Sequence, residues 1–243
     1  MLFFTGHANA GENLEVVLRE RDKNLVKPIL MSDASSMNMP DRKDLDCASC
    51  MTHIRRYFVN CYKDNKTSCT YVIQLFKRVY AIDAKAKKLL ISDEERLLLH
   101  QTESGPIMTE LKLWLANQLD KKIVEENSAL GEAILHTQKH WERLTLFLRL
   151  AGAPLTNDEL EQKFKMVKLF LKNALFYRNL NGAFVGDIFM SIIHTAVLAG
   201  ENPYEYLVAI QENRHEVLNN TDAWMPWNFR QNLTHSVNSK QVS

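Results

Sequence analysis

The sequence predicts an α/β protein in which a small strand-containing part precedes a much longer helical part. Short apolar runs that end in turn residues occur in roughly the first 50 residues, and apolar residues at helical spacing dominate from about residue 70 to residue 150. With 243 residues, 46% of them apolar, the chain is long enough to bury a sizeable core. A sheet of two or three strands is marginal by itself, so either helices cover it or strands that should pair with it are absent.

The first part alternates strands with helices. "LFFTGH" predicts a strand that ends in a glycine turn, and "AGENLEVVLRERD" predicts a helix. "VKPILMSDAS" predicts a second strand with Asp33 at its carboxyl end. "LDCASC" predicts a third short strand, which leads into a helix over "MTHIRRYFVNCYK".

Helices account for most of the chain beyond this first part. Ser92 with Glu95 forms a capping box that begins one helix, and Pro106 lies near the first turn of the next. Two further helices late in the chain are separated by "GENP". An irregular tail comes after them, and we expect its last ten or so residues to be disordered.

One helix near residue 160 carries a candidate catalytic acid. Thr156 with Glu159 predicts a capped start near Asn157, which places Glu161 in the first turns of the helix. The predicted buried face of this helix consists of four apolar residues, Leu160, Phe164, Val167 and Leu171.

Charge and hydropathy limit the classes of protein to which this chain can belong. A formal net charge of +1 gives no global footprint for nucleic acid, so any contact with DNA has to come from local basic patches. No apolar run approaches the roughly 20 residues that span a bilayer, and the opening "MLFF" lacks the basic segment of a signal peptide. We therefore expect a cytoplasmic protein with no membrane partner and with reduced cysteines.

Each candidate site residue also has a simpler interpretation. Asp33 lies where open α/β sheets bind ligands, but aspartate also favours such turns as a cap. Glu161 has Lys165 four residues later, and an exposed pair of this kind explains it equally well. Cys47 and Cys50 have the spacing of half a zinc site, whereas the alternative is small buried thiols.

Two groups of basic residues can bind phosphates or can simply be solvated helix faces. They are Arg55 and Arg56, and the helical set Lys165, Lys168 and Lys172. The sequence contains no serine-hydrolase elbow, nucleotide-binding glycine loop or zincin motif.

Taken together, several phrases of the sequence resemble the C-terminal part of transposases of the insertion-sequence 66 family. They include "FFTGHANAGENL", "PILMSDASSMNMP", "CMTHIRRYF", "NSALGEAILHTQKHWERLTLFLR" and "KNALFYRNLNGAFVGDIFMSIIHTAVLAGENPYEYL". They occur in the family's order, and the likeness extends from about residue 1 to residue 230.

The resemblance implies a DDE-type DNA nuclease and strand transferase with an RNase H-like fold, whose metal is Mg²⁺ and whose substrate is the DNA at the ends of the element. It implies that Asp33 is the second aspartate and that Glu161, 128 residues later, is the glutamate of the metal site. His53 and Asn157 then support these acids, and Arg55 and Arg56 belong with them as DNA-binding residues.

The sequence also departs from the family. Met1 falls inside what resembles the third strand of the RNase H-like sheet, so the strand with the first aspartate and the DNA-binding region that precedes it are not among these residues. Around Glu161, the family's aspartate, second asparagine and arginine are replaced by Thr156, Asp158 and Gln162. Loss of an arginine removes a phosphate-binding charge that an amide does not restore.

These observations predict a truncated transposase that is inactive alone and does not bind Mg²⁺ productively. The alternatives are a protein completed by an upstream reading frame, and a non-catalytic partner that forms oligomers with itself or with an intact transposase, or that inhibits the intact transposase. The predicted organisation is a partial RNase H-like core over 1–69, a helical insertion over 70–150, returning core helices with Glu161 over 151–199, and a C-terminal helix with an irregular tail over 200–243.

Overall fold

The computed structural model describes residues 2–6, 9–22, 24–33, 40, 44–174 and 177–233. These residues form two compact units, which are Ala8–Phe164 and the combination of Met1–His7 with Lys165–Ser243. The helices are α1 (Ala10–Arg19), α2 (Met51–Asn60), α3 (Lys66–Leu89), α4 (Asp93–Leu99), α5 (Gly105–Asp120), α6 (Ala129–Lys139), α7 (Trp141–Leu144), α8 (Asp158–Ala174), α9 (Leu180–Leu198), α10 (Pro203–Glu212) and α11 (Arg214–Asn219). The protein is thus mainly helical, with a small sheet.

The sheet consists of two parallel strands, β1 (Ile29–Ser32) and β2 (Asp46–Ser49). Their register pairs Ile29 with Asp46 and Ser32 with Ser49. The Cys50 N–H donates to the Ser32 carbonyl at 2.8 Å, so the pairing continues to the carboxyl end of both strands. The second and third predicted strands are therefore confirmed.

The prediction of a first strand near the start of the chain is wrong. Residues 2–6 are described and lie outside any strand. The Phe3 N–H instead donates to the Ser191 hydroxyl at 2.9 Å, and the Thr5 hydroxyl donates to Asp187 at 2.8 Å. The segment is thus anchored by side chains of α9, which take the place of a neighbouring strand as hydrogen-bond partners.

The core of the unit Ala8–Phe164 lies among α2, α3, α5 and α6. Phe58 of α2 and Phe76 of α3 are fully buried, with ring centroids 6.4 Å apart. Leu111 of α5 and Ile134 of α6 belong to the same apolar cluster. The cluster forms because each helix has apolar residues along one stripe, as the helical periodicity predicts.

The predicted helix starts are largely confirmed. Ser92 accepts from the Glu95 N–H at 3.2 Å while the Glu95 carboxylate accepts from the Ser92 N–H at 2.8 Å, which is a complete capping box. Pro106 is in the first turn of α5. Helix α8 begins at Asp158, one residue from the predicted start, whereas the Glu159 side chain and the tail beyond residue 233 lie outside the described residues.

The predicted buried face of α8 is only partly observed. Leu160 and Phe164 are 46% and 43% exposed, and Val167 is partly buried. The Leu171 side chain lies outside the described residues. The apolar stripe is present in the sequence, but Leu160 and Phe164 remain nearly half exposed.

Helix α9, in the other unit, is apolar around its whole circumference. Its 19 residues make it long and apolar enough to cross a membrane by length and composition alone, which corrects the expectation that no apolar run approaches this length. Only 11% of its most apolar window is buried, and Asp187 lies near its middle. Nearby, Tyr206 of α10 is buried and donates to the Trp224 carbonyl at 2.9 Å, within a small separate core.

Candidate functional site

Asp33 lies at the carboxyl edge of the parallel pair. It follows Ser32 directly and is partly buried. The neighbouring strand ends at Ser49, and α2 begins two residues later at Met51. This is the edge at which open α/β sheets place ligand sites, so the position of Asp33 matches the sequence prediction.

Hydrogen bonds hold the start of α8 against the start of α2. The Met51 N–H donates to the Leu155 carbonyl at 3.0 Å. The Asn157 N–H points to the Cys50 sulfur at 3.5 Å. Since residues 50 and 51 directly follow β2, these contacts bring the first turn of α8 next to the carboxyl edge of the sheet.

Glu161 and His53 form a pair across this junction. His53 Nε2 lies 3.4 Å from Glu161 Oε1, with side-chain exposures of 19% and 45%. The Glu161 backbone N–H donates to the Asn157 carbonyl at 2.9 Å, which fixes Glu161 one turn after Asn157. The structure thus brings together three of the predicted site residues: His53, Asn157 and Glu161.

Three buried polar atoms at this junction lack a hydrogen-bond partner among the described residues. They are Ser49 Oγ, His53 Nδ1 and Asn157 Oδ1. A buried polar atom without a partner costs about 1–3 kcal/mol, so native proteins usually satisfy such groups. These atoms can accept from or donate to water or a ligand, so the junction has polar groups available for binding.

The described residues do not complete a metal site. Within this part of the chain, no three His, Cys, Asp or Glu side chains converge as a group that could hold a metal ion. The half zinc site at Cys47 and Cys50 therefore receives no further ligand here. Cys50 is instead a buried thiol, and Cys61 and Cys69 are buried with their sulfurs 3.4 Å apart. Burial and the Cys61 contact raise the pKa of Cys69 to about 12, so its thiol stays protonated.

The predicted DNA-binding residues fall into two places. Arg56 is exposed on α2, and Arg55 on the same helix is partly buried and lines a cavity. Lys165, Lys168 and Lys172 are exposed along α8, in the segment that belongs to the other compact unit.

The cavity beside Arg55 has a volume of about 370 Å³. Its lining residues are Thr52, Arg55, Ile73, Lys77, Tyr80 and Asp158. Sequence reasoning missed the α3 members of this set, although Lys77 and Tyr80 are spaced i, i+3 and must share one helix face. The same spacing is common on any amphipathic helix, so it does not identify a site without the packing of α2 and α8.

A second polar group that the sequence did not predict lies inside the helical part. His100 Nε2 is 3.2 Å from Asp83 Oδ1, and His100 Nδ1 is 2.9 Å from the Ser104 hydroxyl. Ser104, His100 and Asp83 are thus connected in the order of a nucleophile, a base and an acid. However, His100 and Ser104 are both 0% exposed, so no substrate reaches them. We interpret the group as structural.

The comparisons with known proteins agree with the sequence resemblance. The family described as "Transposase IS66 family" matches residues 6–184. An uncharacterized protein of Sinorhizobium fredii, y4jD, is 30% identical over 191 residues, which are 76% of this chain and 36% of that protein. A second uncharacterized protein of the same organism, y4hP, is 28% identical over 120 residues, or 49% of this chain and 21% of that protein. No solved structure matches.

Proposed function

Because the chain belongs to the IS66 family of transposases, we propose that it serves DNA transposition and contributes Asp33 and Glu161 to a DDE-type site for DNA strand cleavage and transfer. The observation that carries the proposal is the junction of α2 and α8. It sets Glu161 beside His53 at the carboxyl edge of the parallel strands, the edge that Asp33 also follows. We infer from this arrangement that the two acids face one site.

Each residue has a distinct role in this proposal. Asp33 and Glu161 are the metal-binding acids. His53 positions Glu161 through their 3.4 Å contact, and Asn157 fixes the start of α8. Arg55 and Arg56 bind DNA phosphates near the acids, and Lys165, Lys168 and Lys172 bind other phosphates of the duplex. A cytoplasmic location is part of the proposal, because that is where the DNA of the element is accessible.

The proposed metal is Mg²⁺, which prefers carboxylate oxygens and water. In the completed site, divalent cations would supply Lewis acidity at the scissile phosphate. The predicted site residues include two acids and one histidine, so we propose that a third carboxylate comes from a part of the protein outside these 243 residues. The curated relatives support this idea, since the match spans only 36% of y4jD and 21% of y4hP.

We accordingly expect the 243-residue chain to bind DNA and not to cleave it. The test is to incubate the purified chain with a labelled duplex that carries the ends of the element, in Mg²⁺ and in Mn²⁺. Binding that weakens as the salt concentration rises, without nicked or joined products, supports the proposal. Nicking by the chain alone would overturn the inactive assignment, and no binding at low salt would overturn the DNA-binding role.

A second candidate function is favoured by α9. Helices that are apolar all round are normally buried, but Phe184, Val185 and Phe189 are 64%, 51% and 47% exposed. Such a surface suits a non-catalytic partner that associates with an intact transposase chain, or with a copy of itself.

Replacement of Phe184 and Phe189 by serine should therefore abolish association. We expect the wild-type chain to sediment as an oligomer, or to co-purify with an intact family transposase, and the double variant to remain monomeric. Tyr204→Ser is a control, because Tyr204 is an exposed aromatic residue on α10 in the same unit. A monomeric wild-type chain that captures no transposase would exclude this function.

A further inference from the structure

The cavity lined by Arg55 and Lys77 is formed in part by α2 and α8, the two helices that carry the His53–Glu161 pair. Thr52 of the lining is the neighbour of His53 on α2, and Asp158 precedes Glu161 by one helical turn on α8. The third wall comes from α3, which supplies Lys77 and Tyr80. The cavity and the His53–Glu161 pair therefore share two of their supporting helices.

The chemistry of the lining suits an oxyanion. Arg55 provides a planar guanidinium fork and Lys77 an exposed ammonium group, both common partners of phosphate oxygens. Two hydroxyl groups, those of Thr52 on α2 and Tyr80 on α3, lie 3.3 Å apart in the lining. Burial raises the pKa of Tyr80 to about 12, so its hydroxyl remains protonated at neutral pH and donates either to Thr52 or to a bound oxyanion.

The single acid of the lining limits the charge of the ligand. The Thr52 hydroxyl donates to Asp158 Oδ2 at 3.4 Å, which holds the carboxylate against this wall. Among the residues that the structure describes, one carboxylate against two cations leaves a net charge of +1 for the lining. That balance matches the single negative charge of a phosphodiester better than the double charge of a free phosphate monoester.

We propose that this cavity binds one backbone phosphodiester of DNA next to the bond that is cleaved, with Lys77 and Tyr80 as DNA-contacting residues supplied by the helical insertion. The inference rests on the proposed function and extends it from α2 and α8 to α3. The competing interpretation is that Lys77 is a solvated cation without a ligand, as most lysines on helix surfaces are.

The test compares two lysines of one helix. Lys77→Gln removes the charge at the cavity, and Lys88→Gln removes an exposed charge 11 residues further along α3, about 16 Å away. The dissociation constant for a duplex with the ends of the element is measured over a series of salt concentrations. Lys77→Gln should weaken binding about three- to tenfold and reduce the slope of log affinity against log salt by about one. Lys88→Gln should leave both unchanged.

Two further variants test the charge argument. Asp158→Asn should strengthen DNA binding, because it removes the negative charge from the lining. Tyr80→Phe should weaken binding by less than Lys77→Gln, since it removes one hydroxyl and no charge. Thermal unfolding of each variant tests whether the fold is retained.

The outcomes separate this inference from the proposed function. If the wild-type chain binds no DNA, the DNA-binding role itself fails. If the wild-type chain binds DNA but Lys77→Gln and Lys88→Gln behave alike, the cavity is not a phosphate site and the inference is overturned. Tighter binding of a free nucleoside monophosphate than of the duplex to the same residues would also overturn it.

Discussion

Replacement of Asp83 by alanine is expected to lower the free energy of unfolding by about 3–5 kcal/mol, the usual cost of removing one partner from a buried charged pair. Asp83 is buried, and Oδ1 accepts from Arg96 Nη2 at 2.7 Å and from Arg96 Nε at 2.9 Å. The substitution leaves the guanidinium of Arg96 and the ring of His100 in the interior without this acceptor. Urea or thermal unfolding of the two proteins measures the loss.

A matched control is available for this substitution. Asp64→Ala removes an exposed aspartate before α3, and we expect it to change the stability by no more than about 0.5 kcal/mol. Equal stabilities of the Asp83 and Asp64 variants would show that the buried network contributes little.

The Asp83 carboxylate should also make the stability of the protein depend on pH. Burial alone would raise the pKa of Asp83, but hydrogen bonds from His100, Arg96 and Lys87 outweigh it and hold the pKa below its usual range. A depressed pKa contributes stability that is complete above the unfolded-state pKa of about 3.9 and is lost as the pH falls below it. The wild-type protein should therefore lose more stability than Asp83→Ala between about pH 5 and pH 2. Parallel pH profiles would contradict this assignment.

The largest functional effect is expected from Glu161→Gln and Asp33→Asn in a complete transposase. When residues 1–243 replace the corresponding segment of an active family member, each substitution should lower strand cleavage by roughly 10³-fold or more, the scale seen when a group essential to the chemistry is removed. The reason is that a neutral amide has lost the charge with which a carboxylate holds a divalent cation.

His53→Ala in the same protein should have a smaller effect, about 10- to 100-fold, because His53 acts by positioning Glu161. Glu12→Gln, on α1, serves as the control, since it changes an exposed acid whose carboxylate accepts from the side chain of the N-cap residue Asn9. Full cleavage activity of Glu161→Gln would remove Glu161 from the site.

Local patterns predicted much of the fold. The capping box at Ser92 and the strand ends before Asp33 and Cys50 depend on nearby residues, so sequence spacing suffices to place them. The apolar run at residues 2–6 resembles a strand equally well, but a strand needs a partner, and side chains of α9 took that place. Leu160 on α8 illustrates a related limit, because an amphipathic pattern predicts a face to be covered without naming what covers it.

Only part of the candidate site could likewise be predicted from the sequence. Asp33 and Glu161 could be identified by resemblance, but not the contact between Glu161 and His53, which joins residues 108 positions apart through the packing of α2 against α8. Lys77 and Tyr80 were missed because only the tertiary structure places α3 beside these helices. A periodic sequence identifies the face of a helix, and packing determines what that face meets.

The most direct test of the central claim, that Asp33 and Glu161 share one divalent-cation site, is Mn²⁺ binding measured by electron paramagnetic resonance. Mn²⁺ takes the same oxygen ligands as Mg²⁺. We predict that a complete transposase in which residues 1–243 replace the corresponding segment binds Mn²⁺, that Asp33→Asn and Glu161→Gln each weaken binding about tenfold or more, and that Asp64→Asn does not. Equal binding of Mn²⁺ by this protein and by both site variants would contradict the claim.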